Sequence, residues 1–287
     1  MAEKSKKKPG VYVCIPAYNN ASYIGETIQS ILDQTYENIH VIIVDDNSKD
    51  NTWQVLCDFA KQDSRVLIYR NDKNLGMSGN WNKCLSLCME REDCEYIKLV
   101  CADDLLVPHT IEKEVMILEK YPRVVLVSSE TKLVDLNGNG KGFYRRYPAR
   151  GPVDGKKVVR RGFFNKDYFG APQANTFRKS ICKKTGGFDS NLTYIIDYDF
   201  FVSLAKCGDV YAIHESLNLF RVRNDSNTGL VMGGDKEKTG IYVDEHRYLV
   251  EKNAKDLHMA AWEVELSVLI RRIRCFMAWV YLKIFVR

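Results

Sequence analysis

Three acidic clusters have the chemistry to bind or catalyse. Asp45-Asp46-Asn47-Ser48 and Asp103-Asp104 each end an apolar run, and Asp197 and Asp199 open a helix-like one. Carboxylate oxygens on rigid backbone suit a hard divalent cation, and such a cation neutralises a diphosphate. A plainer role exists for each cluster. One Asp of the 103–104 pair could cap the helix that follows Pro108, but a cap uses one carboxylate and leaves Asp45-Asp46 unexplained. Asp45 to Ser48 equally fits a strand-to-helix turn with Asx-type hydrogen bonds, or an acceptor for the imide N–H of a pyrimidine base. Asp197 and Asp199 are equal candidates for a general base or a helix cap. Arg221 and Arg223 close a strand-like run, placed to grip a diphosphate bidentately or to lie on the surface as solvated cations.

The elements that would carry these residues can be read from hydrophobic periodicity. Val11–Ile15, His40–Val44, Val66–Tyr69, Tyr96–Val100 and Val124–Val127 are short apolar runs of strand length. Between them Ile24, Ile28, Ile31 and Leu32, then Trp53, Leu56 and Ala60, then Trp81–Leu87, then Ile111, Val115 and Leu118 recur at helical spacing. Such alternation predicts an α/β fold with a doubly wound, mostly parallel sheet and helices on both faces. Ligands bind such sheets beyond the carboxyl ends of the strands, where Tyr18-Asn19-Asn20 and both acidic pairs fall. Farther on, Lys141 to Lys166 has weak periodicity, Asp197–Ala205 reads as helix and Val210–Val222 as strand. Asn224 to Gly240 reads as a long mobile loop, and Ile241 to Arg287 as helical.

Composition excludes several classes. With 45% hydrophobic and 28% charged residues over 287 positions, the chain has the make-up of a soluble protein with a real core. A net charge of +5 is spread too thinly to argue for nucleic acid. Lys4 to Lys8 is dense but reads as part of a disordered basic tail, residues 1–10. Nine cysteines without a CxxC pair or zinc spacing, and no apolar stretch behind the basic start, fit reduced thiols in a cytoplasmic protein. No glycine follows the first strand in GxGxxG spacing, and no phosphate-binding loop of the triphosphatase type is present.

Taken together in order, VCIPAYNN (13–20), IQSILDQTY (28–36), IVDDNSKDNT (43–52), Asn74-Leu75-Gly76 with Gly79-Asn80-Trp81-Asn82, YIKLVCADDLLVP (96–108), Gly186-Gly187-Phe188-Asp189 and the run from Asp197 resemble the family 2 glycosyltransferases of GT-A fold. The resemblance implies an inverting transfer of one sugar from a nucleotide diphosphate donor, with UDP the first carrier to test, to a hydroxyl of a saccharide or lipid-linked saccharide. It implies a catalytic domain over 11–238, with a nucleotide-binding half at 11–135 and an acceptor half at 136–238, and a helical region at 239–287. Pro16, Ala17, Tyr18, Asn19, Asp45, Asp46, Asn82, Ala102 and Asp104 would border the nucleotide, with Asp46 on the base and Asp104 near the ribose or diphosphate. Cys101-Ala102-Asp103 occupies the DxD position, leaving Asp103 as ligand to Mn²⁺ or Mg²⁺. Asp197 would be the general base, with Ile196 where the family has Glu. Arg221 and Arg223 would lie by the diphosphate, although the family often has His near the latter. The QxxRW signature of processive synthases is absent. Loss of acidic residues at Cys101 and Ile196 leaves a second reading, a catalytically impaired nucleotide-sugar-binding module of the same fold.

At the carboxyl end, Leu266, Leu269, Ile270, Ile273, Met277, Val280, Tyr281 and Ile284 form a helical stripe interrupted by Arg271, Arg272, Arg274, Lys283 and Arg287. Those cations argue against a spanning helix. An amphipathic helix on an anionic membrane, and a helix packed on its own domain or a second subunit, both fit.

Overall fold

A strand that is apolar at every position needs cover on both faces. Gly10–Ala17 (β1) is such a strand, buried along its whole length, and Ile39–Asp45 (β2) nearly so. The computed structural model of the chain describes residues 8–135, 138–222 and 236–285. After β1 come α1 (Ile24–Leu32), β2, α2 (Thr52–Gln62), β3 (Val66–Arg70), α3 (Gly76–Met89), β4 (Cys94–Leu99), β5 (Leu105–Leu106) and α4 (Thr110–Lys120). The second half contributes β6 (Val124–Val134), β7 (Gly140–Tyr144), β8 (Pro152–Asp154), α5 (Gly155–Phe164), β9 (Asn175–Arg178), α6 (Lys179–Thr185), α7 (Ile196–Ala205), β10 (Asp209–Arg221), α8 (Lys236–Ala254) and α9 (Ala261–Phe285).

The strands form one sheet in the order β3-β2-β1-β4-β9-β6-β10-β5, with β7 beside β6 and β8 beside β10. Its first four strands are parallel, as the alternation of apolar runs predicts. Beyond β4 the sheet is mixed: β9 runs antiparallel to both β4 and β6, while β6 and β10 are parallel. Ile24, Ile28, Ile31, Leu56, Ile111 and Val115 cover one face, and residues of α3, α5 and α7 cover the other. The doubly wound α/β architecture is therefore present, with an antiparallel strand inserted where the two halves join.

Other departures have local causes. Weak periodicity between Lys141 and Lys166 concealed α5, which Asp154 caps by accepting from Lys157 N at 3.0 Å and which buries Val158, Val159 and Phe163. Of the loop expected over Asn224–Gly240, residues 224–235 lie outside the described residues, and Lys236–Gly240 is instead the first turn of α8. Arg223 also lies outside the described residues.

The junction between the halves is built around a fully buried charge pair. Lys98 of β4 donates to Glu114 of α4 at 2.8 Å. Thr176 of β9 and Ser129 of β6 donate to the same carboxylate at 2.6 and 2.9 Å. Burial holds the lysine below its ordinary pKa, and Glu114 opposes that. Removing one partner of such a pair strands the other charge in a low dielectric. Lys98→Met should therefore lower unfolding free energy in urea by about 3–5 kcal/mol. Adding Glu114→Gln, which keeps an acceptor without the charge, should recover part of that loss.

Candidate active site

The loops after β1 and β2 are zipped together. Asn19 and Asn47 both adopt left-handed backbone, φ 53° and 60°, a conformation Asn tolerates better than most side chains. In that geometry Asn19 N donates to Ser48 Oγ at 3.0 Å, Lys49 N returns a bond to Asn19 Oδ1 at 2.8 Å, and Asp46 N reaches Ala17 O at 2.8 Å. Pro16 and Ala17 are buried beneath this ridge, while the Tyr18 ring is 45% exposed above it. A ring so placed offers a flat surface to a base.

Asp45 has no solvent exposure; Ser48 donates to it and Arg70 Nε pairs with it at 3.1 Å. Asp46 accepts from Asn71 Nδ2 and Leu75 N, each at 2.8 Å, and from Gly76 N at 3.0 Å. Asn82 is clipped at both amide atoms to the backbone of Phe188, at 2.9 and 2.8 Å. A Cβ on Gly187 would meet Asn82 Oδ1 at 2.1 Å, so only glycine fits that turn. The side chains of Asp45 and Asn82 are thus committed within the protein, and any part they take in binding passes through the loops they hold. Asp46 is nearly so, with one acceptor direction not used by those three bonds.

Across β1 lies the loop after β4. Strands β2 and β4 both pair with β1, which puts their loops about 10 Å apart along the sheet edge. Asp103 and Cys101 are half-buried there, and Ala102 is buried, its carbonyl accepting from Thr27 at 3.0 Å. Asp104 turns inward. Its Oδ1 accepts from Arg221 N at 3.1 Å, Oδ2 is buried with no partner among the described residues, and burial together with Asp103 holds its pKa well above the carboxylate range. Asp104 thereby braces β10 from inside. Arg221 is buried as well, its guanidinium paired with Glu26 and lying over the Tyr23 ring; its Nη1 finds no partner among the described residues.

The amino end of α7 completes the cleft. Burial, followed by Asp104, Asp103 and Asp197, raises the Cys101 thiol, so these three carboxylates act at one point. Asp197 is pushed up to about 7, first by burial and then by the charge of Asp167. Asp199, its equal in the sequence, is buried against Lys252, which donates to both oxygens at 2.9 Å. A carboxylate so paired is a poor base, which sets Asp199 apart from Asp197. Because Asp104 and Asp197 keep protons that an unfolded chain has lost, their ionisation lowers stability as pH rises from about 4 toward 7.

Two further residues escaped the sequence reading. Glu245 of α8 accepts from the backbone amides of Thr193, Tyr194 and Ile195 at 2.6, 2.8 and 3.1 Å, fixing the turn that presents Asp197. An anion at a helix amino end is also favoured by the macrodipole. Gln173, in a one-turn helix before β9, is 0% exposed, and neither amide atom has a partner among the described residues. Since β9 is antiparallel to β4, Gln173 lies at the carboxyl end of β4, beside the middle of β6. A buried amide left unpaired costs about 1–3 kcal/mol, so it calls for a partner. Neither residue has a local motif that marks it.

The donor set bears on a cation. Among the described residues no group of three or more His, Cys, Asp or Glu side chains could hold a metal ion by itself. Asp103 and phosphate oxygens together fit a Mg²⁺ or Mn²⁺ that arrives with a diphosphate, the remaining positions being water.

Comparison with known proteins identifies the family. The family model "Glycosyl transferase family 2" matches residues 12–186. An uncharacterised glycosyltransferase of Rickettsia typhi is 29% identical over 239 residues, covering 82% of this chain and 70% of that one. Chondroitin synthase of Escherichia coli is 25% identical over 254 residues, or 88% of this chain and 34% of that protein. Among solved structures, Staphylococcus aureus TarS 1–349 in complex with UDP-GlcNAc superposes with TM-score 0.67 at 16% identity, over 96% of this chain and 73% of that one. The mannosyltransferase PcManGT of Pyrobaculum calidifontis, in complex with GDP-Man and Mn²⁺, gives 0.61 at 16% identity, over 96% and 79%.

The raised carboxyl group can be checked directly. In ¹³C spectra of the free protein, Asp197 should titrate with a midpoint near 7, and Asp167→Asn should move that midpoint down. A midpoint in the ordinary range near 4 would contradict the burial described here.

Proposed function

The chain belongs to glycosyl transferase family 2, and from that premise we propose that it transfers a single sugar, with inversion, from a nucleotide diphosphate donor to a hydroxyl of a saccharide or lipid-linked saccharide. The observation that carries the reading is the separation of two neighbouring acids. Asp197 stands at the cleft with its pKa near 7, whereas Asp199 is neutralised by Lys252.

The donor would lie across the carboxyl ends of β2, β1 and β4, its base against Tyr18 and the remaining acceptor direction of Asp46, its ribose by the Pro16–Asn19 backbone. UDP is the carrier proposed first, with GDP second; TarS is described with UDP-GlcNAc and PcManGT with GDP-Man. Asp103 would hold Mn²⁺ or Mg²⁺ together with the diphosphate. A divalent cation there supplies neutralisation of charge on the leaving group. Asp197 accepts the proton of the acceptor hydroxyl as that oxygen attacks the anomeric carbon from the side opposite the diphosphate. Arg221, with one unpaired Nη, and Arg223 are proposed beside the diphosphate, the former only if its pairing with Glu26 loosens.

A second reading follows from Cys101 and Ile196, which stand where the family has acidic residues: a module that binds donor without turnover. Assay of the purified protein with Mn²⁺, a panel of UDP- and GDP-sugars and saccharide acceptors separates the two. Product should form, with kcat/KM rising with pH through a midpoint near 7, because the base acts when ionised. Asp197→Asn should lose about 10²–10⁴-fold in rate with donor affinity retained, and the rise with pH should disappear. Donor binding without product from either protein would favour the binding module.

A further inference from the structure

Helix α9 has two apolar faces, and the protein covers one of them. Toward the domain, Val264 and Val268 are buried, Ser267 Oγ donates to Phe163 O at 2.9 Å, and Arg271 donates to the Tyr242 hydroxyl at 3.1 Å. On the opposite side Trp262, Leu266, Leu269, Ile273, Phe276 and Met277 are all exposed, from 39% at Leu266 to 66% at Trp262. At 100° per residue these six positions fall within one narrow stripe, roughly 22 Å long at the helical rise. A continuous apolar stripe of that length in solvent marks a contact surface.

The charges around the stripe identify what fits it. Arg272 is exposed along its edge, while Arg274, also exposed, is held back to the domain by Asn165. From Val268 to the last residue the sequence holds Arg271, Arg272, Arg274, Lys283 and Arg287 and no acid. The acids near its other end are already engaged: Glu263 pairs with Arg160, and Glu265 with Arg247. A second copy laid on this face would bring cations against cations without a carboxylate to meet them. A lipid surface bearing phosphate groups supplies both the apolar layer and the counter-charge. Among the described residues no helix is long and apolar enough to cross a membrane, so the contact lies in the plane of the surface.

We propose that α9 docks the protein on an anionic lipid surface through the Trp262–Met277 stripe, with Arg272 over the headgroups. The assignment stands on the helix alone and does not depend on the transfer reading.

The test is co-sedimentation of the full chain with phosphatidylcholine vesicles, with and without phosphatidylglycerol. Binding should require the anionic lipid and weaken as salt rises, since exposed charges are screened over about 10 Å at 0.1 M. Leu269→Glu with Ile273→Glu should reduce binding at least about tenfold, and Arg272→Glu should reduce it further on anionic vesicles. Phe276→Glu, at a site 62% exposed, provides a variant with little packing to lose should the double variant melt early. No binding to either vesicle overturns the proposal, as does binding that these variants leave unchanged. Self-association dissolved by the same variants, in a protein that ignores vesicles, would overturn it and assign the stripe to a second copy.

Discussion

Carboxylates crowded at one edge of a sheet repel each other, and the structure of the cleft follows from how that repulsion is relieved. Asp45 is ion-paired with Arg70, Asp46 accepts from Asn71 and two backbone amides, Asp104 is held in its neutral form, and Asp199 is paired with Lys252. Asp103, in the loop after β4, and Asp197, in the first turn of α7, both act on the Cys101 thiol. A cation bound with a diphosphate would relieve repulsion among these carboxylates, so their arrangement is electrostatically suited to such a ligand.

Rigidity is supplied from outside the cleft. The loops after β1 and β2 exchange backbone and side-chain bonds, so the ridge under Tyr18 cannot move as a flexible loop would. On the opposite wall Glu245 gathers three amides ahead of α7. Between these walls the Lys98–Glu114 pair and its hydroxyl partners secure the seam where the parallel and mixed parts of the sheet meet. Each device is buried, where a hydrogen bond is strengthened by low dielectric and left costly if broken.

Much of this was legible in the sequence because it is local. Apolar runs marked β1 to β4 and the start of β6 to within two residues, and both acidic loops follow such runs. The illegible parts depend on partners distant in the chain. Asp197 and Asp199 look alike until Lys252, more than fifty residues on, is seen to engage one of them. Glu245 and Gln173 have no motif, since one acts through backbone amides and the other through an absence of partners. Asp104, expected near the ribose or diphosphate, is buried and accepts from Arg221 N, a partner 117 residues away that no local motif marks. β9 was missed because four residues beside a single helical turn give too little periodicity to read.

The central claim is that Asp103 and Asp197 face one nucleotide-bearing cleft. Adding Mn²⁺ with UDP to protein labelled with ¹³C at aspartate carboxyls tests it, because the unpaired electrons broaden only nearby signals. Asp103 and Asp197 should broaden together, while Asp209 at the opposite end of the sheet and surface Asp58 stay sharp. Broadening of Asp103 with Asp197 unaffected would place the proposed base away from the donor and contradict the account.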